Sequence, residues 1–120
     1  MRAEKAVEYK HSGNNCCQAV LLAYQDKINL DEDTLKAMGS GFGSGMGGME
    51  GNCGALIGAV MTKGFLNTSN APTKMLAKDM VKKFGEKCGA ITCKELKGVG
   101  TGTVLCPCDD CIRCAVDLVE

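Results

Sequence analysis

The sequence predicts an all-α, single compact domain of five or six helices joined by Gly-rich loops. Three observations lead there. Strand-like alternation is nearly absent, with only Gly102 to Cys106 fitting a short strand. Apolar residues recur at helical spacing through most of the chain. Cap residues and glycines punctuate the segments between. At 120 residues and 12.6 kDa, the span 1–120 reads as one domain long enough to bury a core. Trp is absent, Phe occurs three times and Tyr twice. That core must therefore rest on Leu, Val, Ile, Met and Ala.

Taken in order, residues 2 to 10 suit a short helix, ended by Ser12-Gly13-Asn14. Asn15 is an N-cap for a second helix, CCQAVLLAYQDKI, which is apolar on most sides and so belongs in the middle of a bundle. Asp31, Glu32 and Asp33 place negative charge at the start of a third, through Leu35 and Met38. A glycine run, residues 39 to 54, leads into a helix from about Cys53 to Phe65. The Pro72 region opens another, carrying Met75, Leu76, Met80, Val81 and Phe84 and ended by Gly85 or Gly89. A short CKEL helix, a GVGTGT turn and a terminal helix from Asp109 to Glu120 complete the chain.

Within the glycine run, Gly43, Gly45 and Gly48 fit G-x-G-x-x-G. A dinucleotide site needs that motif after a strand, and here a helical pattern precedes it. Two readings remain level. The run is a flexible connector, or it is a loop whose backbone closely approaches a buried group and offers it N–H donors.

Fourteen basic and fourteen acidic residues balance, which removes the electrostatic footprint of a nucleic-acid binder. The longest apolar stretch, around Cys53 to Met61, falls far short of the ~20 residues that span a bilayer. The N-terminus alternates charges without an apolar signal segment, so a soluble, cytoplasmic protein is expected. The single His11 lies in a polar stretch with no cysteine beside it, and the carboxylate groups read as helix-start charges, so acid–base and hydrolytic chemistry have little to stand on. The methionines read as core filler.

Nine cysteines carry the chemistry: Cys16, Cys17, Cys53, Cys88, Cys93, Cys106, Cys108, Cys111 and Cys114. In a reducing compartment such density points to metal binding or thiol redox rather than to structural disulfides. Cys53 sits where the glycine run becomes a helix, and unpaired N–H groups there favour thiolate. Gly54 and Gly58 share one face of that helix and would admit another backbone. Cys16 and Cys17 point about 100° apart, so one is expected to be functional and the other to pack. The tail, CPCDDCIRC, has the density of a zinc or iron–sulfur site. If a helix begins at Cys108, though, Cys108, Cys111 and Cys114 progress around it, one or two of them face the core, and Cys108 fits the apolar stripe best. If residues 106 to 111 are irregular, a local four-cysteine site stays open. Cys88 and Cys93 say less; one follows a helix end and the other opens CKEL.

Asn15-Cys16 with its apolar helix, CGALIG at Cys53 to Gly58, Cys93 to Gly98 (CKELKG) and the cysteine-rich end together resemble the C-GCAxxG-C-C family of redox-active proteins, from about Gly13 onward. The family name writes Gly-Cys-Ala where this chain has Asn52-Cys53-Gly54-Ala55, so Cys53 is matched by context. The resemblance implies an all-α domain with a redox role and places the four family cysteines at Cys16, Cys53, Cys93 and Cys108, with Cys106 or Cys111 as substitutes for the last. The leading expectation is an iron–sulfur cluster held by those four for electron transfer or sensing with a redox partner protein. The alternatives are thiol–disulfide chemistry with Cys53 as reactive thiolate, and a zinc site of structural or carrier type. Additional tail cysteines leave a homodimer open.

Overall fold

A computed structural model describes residues 1–120, and eight helices form in place of five or six. They are α1 (Arg2–His11), α2 (Cys16–Ala23), α3 (Gln25–Ile28), α4 (Glu32–Gly39), α5 (Gly54–Leu66), α6 (Thr73–Cys88), α7 (Cys93–Leu96) and α8 (Cys108–Val119). The larger number has local causes. The apolar run from Cys16 to Ile28 breaks at Tyr24, whose φ of −108° and ψ of 14° leave the helical region. CKEL makes a single separate turn as α7. No strand forms at Gly102–Cys106. Instead the amides of Leu105 and Cys106 both donate to the carbonyl of Leu96, at 3.0 and 3.2 Å, and fold that segment back over α7.

Sequence explains where α2 starts. The Asn15 side chain accepts from the Gln18 amide at 2.8 Å, and the Gln18 side chain accepts from the Asn15 amide at 2.9 Å, a reciprocal cap. The same two side chains reach onto the end of α4, donating to Gly39 at 3.0 Å and Lys36 at 2.8 Å. From this anchored start α2 runs through the centre, with Ala19, Val20, Leu21, Leu22 and Ala23 all buried. Each leucine there contributes about 1.5–3 kcal/mol of burial.

Against α2 lie α1, α4 and α5, while α8 packs on α1 and α5, and α6 covers α5 and α8. The α2–α5 crossing is tight because α5 presents glycine. A Cβ at Gly58 would stand 2.9 Å from the Cys17 carbonyl, and one at Gly54 would stand 2.8 Å from the Phe42 carbonyl. On α8 the buried stripe is Cys111, Ile112, Ala115, Val116 and Val119; Cys108, expected to lead it, is only half-buried and faces elsewhere. The methionines divide: Met80 is in the core, whereas Met46 and Met75 are exposed. No helix is long and apolar enough to cross a membrane.

Candidate functional site

Four helix beginnings meet at one place. Cys16 is the first residue of α2, Cys93 of α7 and Cys108 of α8, while Cys53 is the N-cap of α5. All four line one cavity of about 170 Å³, together with Lys10, Lys97 and Asn15. That is far more than the roughly 10–15 Å³ one water requires. No carboxylate lines it. The unpaired amides and dipoles of helix starts favour negative charge, so the placement of these cysteines suits thiolates.

Backbone pairing holds the site together. The Cys53 amide donates to the Ile91 carbonyl at 2.7 Å, and the Cys93 amide donates to the Gly51 carbonyl at 3.0 Å, flanking an isolated bridge between Asn52 and Thr92. The glycine run wraps this bridge. Ser44, Gly45, Met46 and Gly47 all have positive φ, from 49° to 89°, so the chain makes a left-handed turn. Gly45 is required twice over: its φ is 59°, and a Cβ would fall 2.6 Å from the Cys93 Cβ. The close-approach reading of the loop therefore holds at Gly45, and no strand precedes the G-x-G-x-x-G as a dinucleotide site needs.

Protons are unevenly distributed among the sulfurs. The neighbouring Cys111 thiol, with the Leu56 and Ala55 amides, outweighs burial and pulls Cys53 well below the ordinary thiol range; the Cys111 thiol itself donates to the Cys106 carbonyl at 3.5 Å. Likewise the Cys16 thiol, with the charge of Lys97, brings Cys108 down. The partner thiols move the other way: Cys16 and Cys111 are raised, first by those same contacts and then by burial. Burial also raises Cys93, and raises Cys17 to about 12. Lys97 loses by burial but gains more from the sulfurs of Cys111, Cys108 and Cys53, so it stays a cation. Cys17, its neighbour's structural twin, packs fully into the core.

Residues 14–120 match the model of the family described as "Putative redox-active protein (C_GCAxxG_C_C)". The chain belongs to that family. No curated protein and no solved structure matches it.

A second cysteine group in this C_GCAxxG_C_C protein takes two members from the tail that the sequence marked as metal-dense, and one, Cys88, that it did not. The sulfurs of Cys88, Cys106 and Cys111 all lie within 4.8 Å of one another and are buried, close enough to hold a metal ion. They come from the end of α6, the segment before α8 and the first full turn of α8. A local four-cysteine tail site does not form, because α8 is helical from Cys108 and sends its cysteines to different neighbours. The signal that was available is the cysteine density of the tail, which holds Cys106 and Cys111; nothing in the sequence ties Cys88 to them. Lys97 joins the two groups, with Nζ 3.7 Å from the Cys111 sulfur and 3.3 Å from the Cys106 carbonyl.

Proposed function

We propose that Cys16, Cys53, Cys93 and Cys108 together hold one iron–sulfur cluster, and that the protein passes or senses single electrons for a partner oxidoreductase in a reducing, cytoplasmic setting. The observation that carries this is the convergence of four thiols, from four helix starts, on a cavity lined by two lysines and no carboxylate. Four thiolates are the usual ligand set for such clusters, which when bound supply one-electron redox chemistry. A single ion would need four sulfurs packed at about 3.8 Å, the edge of a tetrahedron with 2.3 Å bonds. A cluster spreads its thiolates over several irons and suits a cavity of this size better.

The chain's own residues have distinct parts. Cys53 and Cys108 are already disposed to be thiolates, and Cys16 and Cys93 release their protons on ligation. Lys97 and Lys10 offset the negative charge that four thiolates bring. The turn at Gly45 brings backbone against Cys93 and covers that side from water.

Anaerobic purification with visible spectroscopy, iron and acid-labile sulfide analysis tests the reading. A brown protein with matched iron and sulfide is expected, and Cys53→Ser should abolish the chromophore; an unchanged spectrum in that variant overturns it. One observation favours a second reading, thiol–disulfide exchange: each poised thiolate, Cys53 or Cys108, already touches a protonated partner, Cys111 or Cys16. In that case the thiolate and its thiol partner would join as a disulfide with loss of the one remaining proton, and their two electrons would reduce a partner's disulfide, which takes up two protons from water to become two thiols. A colourless, metal-free protein that reversibly loses about two mass units would favour it.

A further inference from the structure

We infer that Cys88, Cys106, Cys111 and Cys114 form a second, separate site for one zinc ion. None of these is among the four cysteines assigned to the cavity, and the inference stands whether or not a cluster occupies it.

Distance comes first. Three buried sulfurs already lie within 4.8 Å of one another. Tetrahedral zinc with 2.3 Å bonds to sulfur sets them about 3.8 Å apart, so each pair closes by at most about 1 Å. Cys114 provides the fourth ligand. It follows Cys111 by three residues and so lies beside it on α8. Its thiol is near enough to Cys88 to raise that thiol, after burial and Cys106. Cys114 is only half-buried, which leaves an entry route to an otherwise enclosed group.

Charge comes second. Four thiolates around a divalent ion leave two net negative charges. Lys97 stands over Cys111 and Cys106 on one side, and the charge of Lys87 acts on Cys114 from the other. No carboxylate or imidazole belongs to the group, and an all-thiolate set selects soft ions over magnesium or calcium. Zinc, which favours closed four-thiolate shells in structural sites, fits a position that ties the end of α6 to the start of α8. Lacking metal, the three buried thiols stabilise little by contact with each other, and tertiary packing alone holds Cys88 against the tail.

The test separates this site from the cavity by disabling the cavity first. Metal-free, reduced, full-length Cys16→Ser protein is titrated with zinc chloride against a chromophoric chelator. One tight zinc per chain is expected, with a sulfur-only shell at about 2.3 Å by X-ray absorption. Adding Cys88→Ser or Cys106→Ser should weaken binding more than about 100-fold, beyond the cost of losing an outer partner. The circular dichroism of each variant reports whether the helices persist. Cys114→Ser alters only the half-exposed rim, so it serves where the buried variants misfold; a loss of at least about tenfold is expected there. No tight zinc in Cys16→Ser, nitrogen or oxygen in the shell, or affinity untouched by Cys88→Ser and Cys114→Ser would each overturn the site. Iron and sulfide in the wild-type protein report on the cavity independently, so a cluster without zinc, or zinc without a cluster, tells which reading has failed.

Discussion

The two cysteine groups share one residue type and opposite electrostatics. In the cavity each cysteine begins or caps a helix, and at Cys53 the Ala55 and Leu56 amides reach the sulfur. In the buried group Cys88 ends a helix, where the dipole disfavours negative charge, and burial raises it first, with Cys106 and Cys114 adding to the effect. Cys106 lies in a bend, and its carbonyl accepts from the Cys111 thiol at 3.5 Å. The cavity has space and two thiols disposed to be anions, Cys53 and Cys108; in the buried group Cys88 and Cys111 are held as thiols. Ligation at the first should release fewer protons than ligation at the second. A thiol neighbour, helped at Cys53 by the Ala55 and Leu56 amides and at Cys108 by Lys97, decides which helix-start thiols are ready to react.

The most decisive way to break this contrast is to cross the variants. Cys53→Ser is expected to remove all cluster iron, whereas Cys88→Ser should keep iron and sulfide at wild-type levels; equal loss in both would mean one merged site. Next is the glycine loop. Gly45→Ala sets a Cβ against Cys93 and strains a positive φ, and should cost about 1–3 kcal/mol in urea unfolding while lowering cluster retention. A wild-type midpoint would show that the loop does not press on Cys93.

A smaller effect concerns charge. In metal-free protein Cys108 should alkylate well below the free-thiol pKa of about 8.5, and Lys97→Met should raise its midpoint by about one unit, since one nearby cation is worth about 1–3. The sign for stability follows. Because the folded pKa of Cys108 is depressed, its contribution is complete above about 8.5 and is lost as pH falls toward the folded value. The metal-free protein should therefore weaken between pH 8 and 6, and Lys97→Met should flatten that slope. The smallest change is Asn15→Ala, which removes the reciprocal cap at α2 and should cost about 1 kcal/mol by chemical denaturation.

Much of the site could be read along the chain because it is made of helix starts. Asn15 before Cys16, the glycine run before Cys53 and the CKEL turn at Cys93 are local signals, and local signals survive without tertiary context. Cys108 was harder: the i, i+4 stripe counted it as core, but the first residue of a helix has no preceding turn to bury it, and Cys111 takes the inward place. The buried group was illegible for a different reason. Cys88 and Cys106 are separated by α7 and a Gly-rich turn, a span whose path no periodicity encodes, and their approach depends on how α6 packs against α8. The one proposed strand failed because Gly102–Cys106 found its acceptor in the Leu96 carbonyl and had no neighbouring strand.

By itself, then, the sequence determined the helical class, the Asn15 cap, the small face at Gly54 and Gly58 that admits another backbone, and the helix starts at Cys16, Cys53 and Cys93, since each depends on residues within a few positions of one another. Only the tertiary structure decided which sulfurs meet. It put four helix starts around one cavity, set Lys97 between two groups, and joined Cys88 to the tail, because long-range packing of α5, α6 and α8 brings together residues whose spacing along the chain carries no period.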